Sequence, residues 1–290
     1  MWSFNADTNV LAWLDAIGQD CDVITDHDLQ RQGVAALAPY RAVITGTHPE
    51  YYSSVMRDGL EGWLGDGGRL MYMGGNGFYW RVAFDPFDDS VLEVRRAEDG
   101  TRAWIARPGE YHHSFSGEYG GLWQRQGQAP NALVGVGFTA QGFDGGTHYR
   151  WNAAAKDPRA AFIVAGLSPE GVFGDYGTQG GGAAGEEIDR FDLFLGSPGH
   201  GLVIASSEAH RPGMLLAKEE YKMMEPPQAD ARIRADMTFF ETPAGGAVFS
   251  TGSISYAGAL SIDGYDNDVA QLTGNVLRRF IDPEPFEYPG

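Results

Sequence analysis

One cysteine, Cys21, stands in a chain of 290 residues. An internal disulfide framework is therefore excluded, and the composition suits a reducing compartment. No apolar run reaches the roughly 18 residues that a membrane-crossing helix needs. The opening MWSFNADTNV has no basic stretch leading into an apolar one, so no secretory leader is visible. Together these absences predict a cytoplasmic protein. Positive charge is also scarce: 21 Lys and Arg stand against 39 Asp and Glu, a net charge of −18. Nucleic acid and anionic membrane both need a basic footprint, and neither is expected as a partner. The acidic runs mix both signs and read as solvated surface, while a small neutral or cationic ligand remains compatible. Neither HExxH, paired CxxC, GxSxG nor a phosphate-binding glycine loop occurs, and no internal repeat is evident.

What is present is an alternation of apolar runs and helical patterns with 41 glycines between them. Val10, Leu11, Leu14 and Ile17 have helical spacing, closed by Gly18. CDVIT reads as a short strand, GVAALAP as helix, YRAVITG as a buried strand, and THPEYYSSVMRDGLEGWLGDGG as a loop feeding a helix. RLMYMGGNG is a further strand that ends in a glycine-rich turn. Strands and helices alternating in this way predict β-α-β crossovers and a parallel sheet. Between about Ser90 and Leu195 short strand-like runs (VLEVRR, RAWIAR, ALVGVGF, HYRW, AAFIVAG) suggest a β-rich insertion. GLVIASS, MTFFET and AVFSTGS restore the strand pattern, the last two joined by PAGG, and DNDVAQLTGNVLRRF closes as a helix. The expected architecture is one α/β domain over residues 1–290. Its parallel-sheet core covers 1–85 and 200–282, with a β-rich insertion at about 86–196. Such a sheet ordinarily begins with a strand, whereas this chain opens on a helix, so upstream sequence is expected to complete it.

Ligands of open parallel sheets sit beyond the carboxyl ends of the strands. Two strand ends here are polar: one runs into Thr47, His48, Pro49, Glu50 and Tyr51, the other into Asn76, Gly77, Phe78 and Tyr79. Glu50 reads either as a metal ligand or base, or as a cap on the following helix; His48 reads either as functional or as a hydrogen-bonded loop histidine. GGNGF has the strand–turn form of a nucleophile elbow, which in class I glutamine-amidotransferase-like (flavodoxin-like) folds carries cysteine. Asn76 cannot attack, and Cys21 is far away, so a covalent cysteine mechanism is disfavoured. Asn76 is left as a hydrogen-bond donor to an oxyanion or as a left-handed turn residue. Glu186 and Glu187 follow a glycine run, either on a loop that reaches over a pocket or at the start of a short helix with Asp189 and Arg190 exposed. His112, His113 and His210 lack partners at recognised metal-binding spacing. Trp104, Trp123 and Trp151 would suit a sugar-binding face of a non-catalytic module, or a core.

The stretches CDVITDHDL, VITGTHPEYYS, GGRLMYMGGNGFYW, RAWIARPGEYHHS, GLWQRQGQAPNALVGVGFTAQGFD, GGAAGEEIDRFD and FFETPAGGAVFSTGSISYAGAL span most of the chain. They resemble the C-terminal part of the large subunit of the N,N-dimethylformamidase family. The resemblance implies a class I glutamine-amidotransferase-like core and hydrolysis of a small N-substituted amide at a ferric ion held by two tyrosines and a glutamate. It implies Glu50 in HPEYYS as the iron ligand, His48 as the neighbouring active-site histidine, Asn76 in GGNGF facing substrate, and Glu187 in EIDR as the second catalytic carboxylate, with Glu186 adjacent. The two tyrosine ligands would come from outside this chain, because Tyr40, at the head of a strand, is the sole tyrosine before His48. A small subunit and a homo-oligomer are the implied partners.

Overall fold

The computed structural model describes residues 2–96, 107–220 and 230–290. Its first helix, α1 (Trp2–Ala16), ends at Gly18 with φ of 70°. The helix buries Val10, Trp13 and Leu14 and leaves Leu11 and Ile17 exposed, so its inward stripe is rotated from the expected one. CDVIT forms no strand. Val23 is 70% exposed there, and Thr25 instead caps α2 (Asp26–Gln32) in a capping box with Asp28. The short α3 (Val34–Leu37) precedes β1 (Ala42–Ile44) and β2 (Tyr51–Ser53). Ser53 then caps α4 (Ser54–Gly65) by accepting the Met56 N–H.

Two more strands of the first half, β3 (Arg69–Tyr72) and β4 (Trp80–Phe84), bracket the glycine-rich turn, and β5 (Leu92–Val94) follows. The RAWIAR run falls largely outside the described residues, as does Trp104. ALVGVGF does not begin as a strand: Pro130 starts α5 (Pro130–Val134), and the chain becomes extended only in β6 (Gly137–Thr147). β7 (Tyr149–Trp151), β8 (Val172–Phe173) and β9 (Ala184–Arg190) follow. AAFIVAG between them is turn rather than strand. Asp157 and Pro158 start a tight 3-10 turn there, and Asn275 Nδ2 donates to the carbonyls of Ile163 and Ala165, which a ladder would otherwise use. The chain finishes with β10 (Leu202–Ser207), β11 (Leu215–Leu216), β12 (Asp236–Glu241), β13 (Ala247–Ser250) and α6 (Asp268–Ile281), the last capped by Asn267.

The main sheet has the order β1-β3-β13-β12-β10-β7-β8. It is mixed rather than parallel throughout: β1–β3 and β3–β13 pair parallel, and the other four neighbours pair antiparallel. The short Thr242–Gly246 connection allows β12 and β13 only a hairpin. β7 and β8, read from sequence as part of an insertion, extend this same sheet. Alternate side chains of the central strands pack on opposite faces, as the strand period of two requires. Met71 and Phe249 meet α1 and α6 residues such as Trp13, Leu272 and Phe280 on one face. Leu70, Tyr72 and Val248 meet Met56, Leu60 and Trp63 of α4 on the other. The sheet is thus covered on both faces, which leaves its strand ends as the place for a site. Among the described residues no helix is long and apolar enough to cross a membrane.

Candidate functional site

The carboxyl ends of the parallel strands lie side by side. β1 runs out into the loop that carries His48 and Glu50, and β3 runs into Gly74–Gly77. These two loops approach so closely that Gly75 N–H donates to the Thr47 carbonyl at 3.2 Å. A Cβ on Gly74 would stand 2.2 Å from that same carbonyl oxygen, so only glycine fits. The His48 loop is tied down from the other side by Asp7 of α1, whose Oδ1 accepts both the N–H and the hydroxyl of Thr47.

The third contribution comes from far along the chain. β9 pairs with β6 and then crosses the strand ends: Asp189 N–H donates to Gly252 O, and Ser253 Oγ accepts the Gly185 N–H. A Cβ on Gly75 would lie 2.2 Å from the Glu187 carbonyl oxygen, which shows how tightly β9 sits on the turn. Glu187 therefore arrives on a strand, not on the loop or short helix read from sequence. Glu186 beside it has a left-handed φ of 63°, at an irregularity in the β6–β9 register.

His48, Glu50, Asn76 and Glu187 converge. His48 Nε2 lies 3.0 Å from Glu187 Oε2 and 3.5 Å from Glu50 Oε2. Asn76 Nδ2 donates to Glu187 Oε2 at 3.0 Å and, more weakly, to Glu50 Oε1 at 3.4 Å. Trp80 Nε1 donates to Glu50 Oε1 at 3.1 Å. Glu50 does not cap α4, since Ser53 fills that role. With both carboxamide hydrogens directed to carboxylates, Asn76 links the two acids rather than presenting a free oxyanion donor; its buried Oδ1 has no partner. Burial raises the Glu50 pKa above the ordinary carboxylate value, with His48 opposing. Burial by itself would lower the His48 pKa, but Glu187 and Glu50 outweigh it and leave the imidazole above its usual value. Burial likewise raises Glu186, reinforced by Glu187.

Sequence reasoning missed Asp189. Read as exposed under the short-helix alternative and given no role under the other, it is fully buried in β9, where its carboxylate accepts the Asn76 N–H and the Tyr72 O–H, each at 2.7 Å. Burial pushes its pKa up to about 7 against those two bonds. The signal was available in the alternation E-x-D, which in a strand puts Glu187 and Asp189 on one face.

As a place for a hard cation, the donor set offers Glu50 as one anionic oxygen. Among the described residues no group of three His, Cys, Asp or Glu could hold a metal ion. Nearby phenols are otherwise engaged: Tyr72 with Asp189 and Gly77, Tyr79 with Glu219, and Tyr51 with Arg96. The residues thus fit one ligand of such an ion, with the remainder to come from elsewhere. The other histidines are apart, and His210 Nε2 meets Ser207 Oγ at 2.6 Å. Of the tryptophans, Trp123 is buried between Arg57 and Arg81, and Trp151 stacks on Phe173. Neither is an open sugar platform.

A family model described as N,N-dimethylformamidase beta subunit-like, C-terminal, matches residues 1–268. Over 288 residues the chain is 42% identical to the N,N-dimethylformamidase beta subunit of Paracoccus aminophilus and 41% identical to that of Alcaligenes sp. Each match covers 98% of this chain and 38% of the relative, so the chain spans about two-fifths of the length of these curated proteins. The chain belongs to the N,N-dimethylformamidase beta subunit-like, C-terminal family.

Proposed function

We propose that this chain carries the acid–base half of an amide hydrolase site, acting on a small N-substituted amide of the N,N-dimethylformamide class. The observation that carries the reading is the convergence of His48 and Glu187 at 3.0 Å, with Glu50 and Asn76 completing the cluster. A carboxylate and an imidazole within hydrogen-bond reach, Glu187 and His48, supply the proton transfers that amide cleavage needs, each worth about 10²–10⁴-fold in rate. Glu187 accepts a proton from the attacking water, whose oxygen bonds to the carbonyl carbon. His48, in contact with Glu187, delivers a proton to the departing nitrogen as the C–N bond breaks, giving a carboxylate and an amine. Asn76 holds Glu187 and Glu50 in register. Glu50 would bind a ferric ion together with two tyrosinates from outside this chain, and that ion would supply Lewis acidity toward the carbonyl. The core is proposed as a class I glutamine-amidotransferase-like variant in which asparagine replaces the elbow nucleophile, and the working enzyme as an assembly with a further subunit.

The test is substrate turnover by the full-length protein that contains this chain, assembled with its partner subunit. Formate and dimethylamine should appear in equal amounts from N,N-dimethylformamide. A protein that binds oligosaccharide but releases no amine from any small amide would favour the non-catalytic module instead.

A further inference from the structure

Asp189 is an expensive residue to keep. It is completely buried, and no Lys or Arg among the described residues pairs with it. Burying a carboxylate without a cation is unfavourable, and two hydrogen bonds offset only part of that. Both bonds go to one small structure. Oδ1 accepts the backbone N–H of Asn76, and Oδ2 accepts the Tyr72 hydroxyl, whose own oxygen accepts the Gly77 N–H at 2.7 Å. Asp189 and Tyr72 thus grip the turn on both sides of Asn76.

The gripped turn is one the chain would not choose unaided. Asn76 has φ of 50° and Phe78 φ of 55°, both in the left-handed region, which asparagine tolerates but a bulky phenylalanine adopts only under strain. Gly77 is pressed against the Tyr72 ring, a Cβ there falling 2.7 Å from the hydroxyl oxygen. The consequence of this backbone conformation is the aim of the Asn76 side chain, toward Glu187 at 3.0 Å and Glu50 at 3.4 Å. Glu187 and Asp189 share a strand face, so one residue of β9 reaches the cluster while the other, two along, fixes the residue it must meet.

We propose that Asp189 is a positioning residue of the site: by accepting the Asn76 N–H and the Tyr72 O–H it locks the Gly74–Phe78 turn, so that Asn76 fastens Glu187 to Glu50. Tyr72 is the second member of the device. The catalytic consequence rests on the hydrolase reading given above; the effect on Asn76 does not.

The test is Asp189→Asn in the full-length enzyme. Asparagine has the same shape and keeps one acceptor, but cannot receive both donors. kcat should fall about 10- to 100-fold, the usual effect of losing a supporting hydrogen bond behind a reacting group, with KM changed by less than about 3-fold. Introduced into Asn76→Ala, the same change should add less than about 3-fold, because Asp189 acts through Asn76. The crystal structure of Asp189→Asn should show Asn76 Nδ2 withdrawn from Glu187. Unchanged kcat, losses that multiply in the double variant, or an Asn76 that has not moved would each overturn the proposal. Should Asp189→Asn fail to fold, Tyr72→Phe carries the same readouts with a smaller expected loss of about 10-fold. If the wild-type enzyme cleaves no amide, the hydrolase reading fails, and the position of Asn76 in the variant crystal still decides the role of Asp189.

Discussion

Replacing Asp189 by asparagine should make the protein more stable at alkaline pH relative to acid pH, by an amount the structure allows to be worked out. In the unfolded chain an Asp carboxyl titrates at 3.8, whereas burial moves Asp189 to about 7 in the fold. Between those values the native state retains a proton that the unfolded state has released. Stability therefore falls as pH rises through the window and is lowest above pH 7. The shift of about three units corresponds to about 4 kcal/mol once the group is ionised in both states, of which about 2.5 kcal/mol is lost between pH 5 and pH 8. Asparagine has no such titration. It leaves one of the two donors, Asn76 N–H or Tyr72 O–H, without an acceptor, at about 1–3 kcal/mol, but that cost is the same at both pH values. Urea unfolding of wild type and Asp189→Asn at pH 5 and pH 8 exposes the effect, since titrations that do not sense Asp189 cancel in the difference, and the minor contribution of Asp189 to the His48 titration is the one that does not. The variant should gain about 2.5 kcal/mol on wild type between the two conditions. Parallel stability profiles would refute a buried, perturbed carboxyl at this position. A variant that is relatively more stable at pH 8 and yet less active is what a residue retained for function should produce.

Other expectations follow from close contacts and from the donor set. Gly75→Ala should disrupt the site, because its methyl would meet the Glu187 carbonyl at 2.2 Å; amine release should drop at least about 100-fold, and thermal melting should show a loss of about 1–3 kcal/mol. Ser53→Ala removes the acceptor for Met56 N–H at the start of α4 and should cost about 1 kcal/mol in urea unfolding without changing KM. On the proposed reading of Glu50 as a ferric ligand, the 290-residue chain alone should bind iron weakly by metal analysis, one carboxylate being too few, and Glu50→Ala in a longer protein that does bind iron should lose most of it.

Much of the site was legible because its residues sit where strand ends place them. His48 and Glu50 follow one buried run and Asn76 the next, and adjacent parallel strands bring such loops together. Glu187 was found from its motif rather than from any pattern that located it in space. Its approach depends on β9 pairing with β6 and bridging to Ser253, contacts separated by about 40 to 65 residues, and no local signal encodes them. Asp189 was lost because EEIDRFD was read as a helix start or loop, which hid its period of two. CDVIT failed for a different reason: apolar content suggested a strand, but no neighbour is available, and T-D-H-D is a capping box. The β12–β13 hairpin was readable from its PAGG turn, but the far edge of the sheet was not, since β7 joins β10 across more than 50 residues and β8 is then added to β7. Trp123 was left open between sugar platform and core; its indole N–H bonds Tyr52 O in the interior.

The most direct measurement on the central claim is the turnover of N,N-dimethylformamide by full-length Glu187→Gln, with iron content determined on the same sample. Glutamine keeps the size of the side chain and a contact for Asn76 Nδ2, but cannot take a proton from water. The expected result is iron equal to wild type, with kcat at least about 100-fold lower and a native circular-dichroism spectrum. Wild-type kcat in an iron-replete Glu187→Gln enzyme would contradict the assignment of His48, Glu50, Asn76 and Glu187 as an amide-hydrolysing cluster.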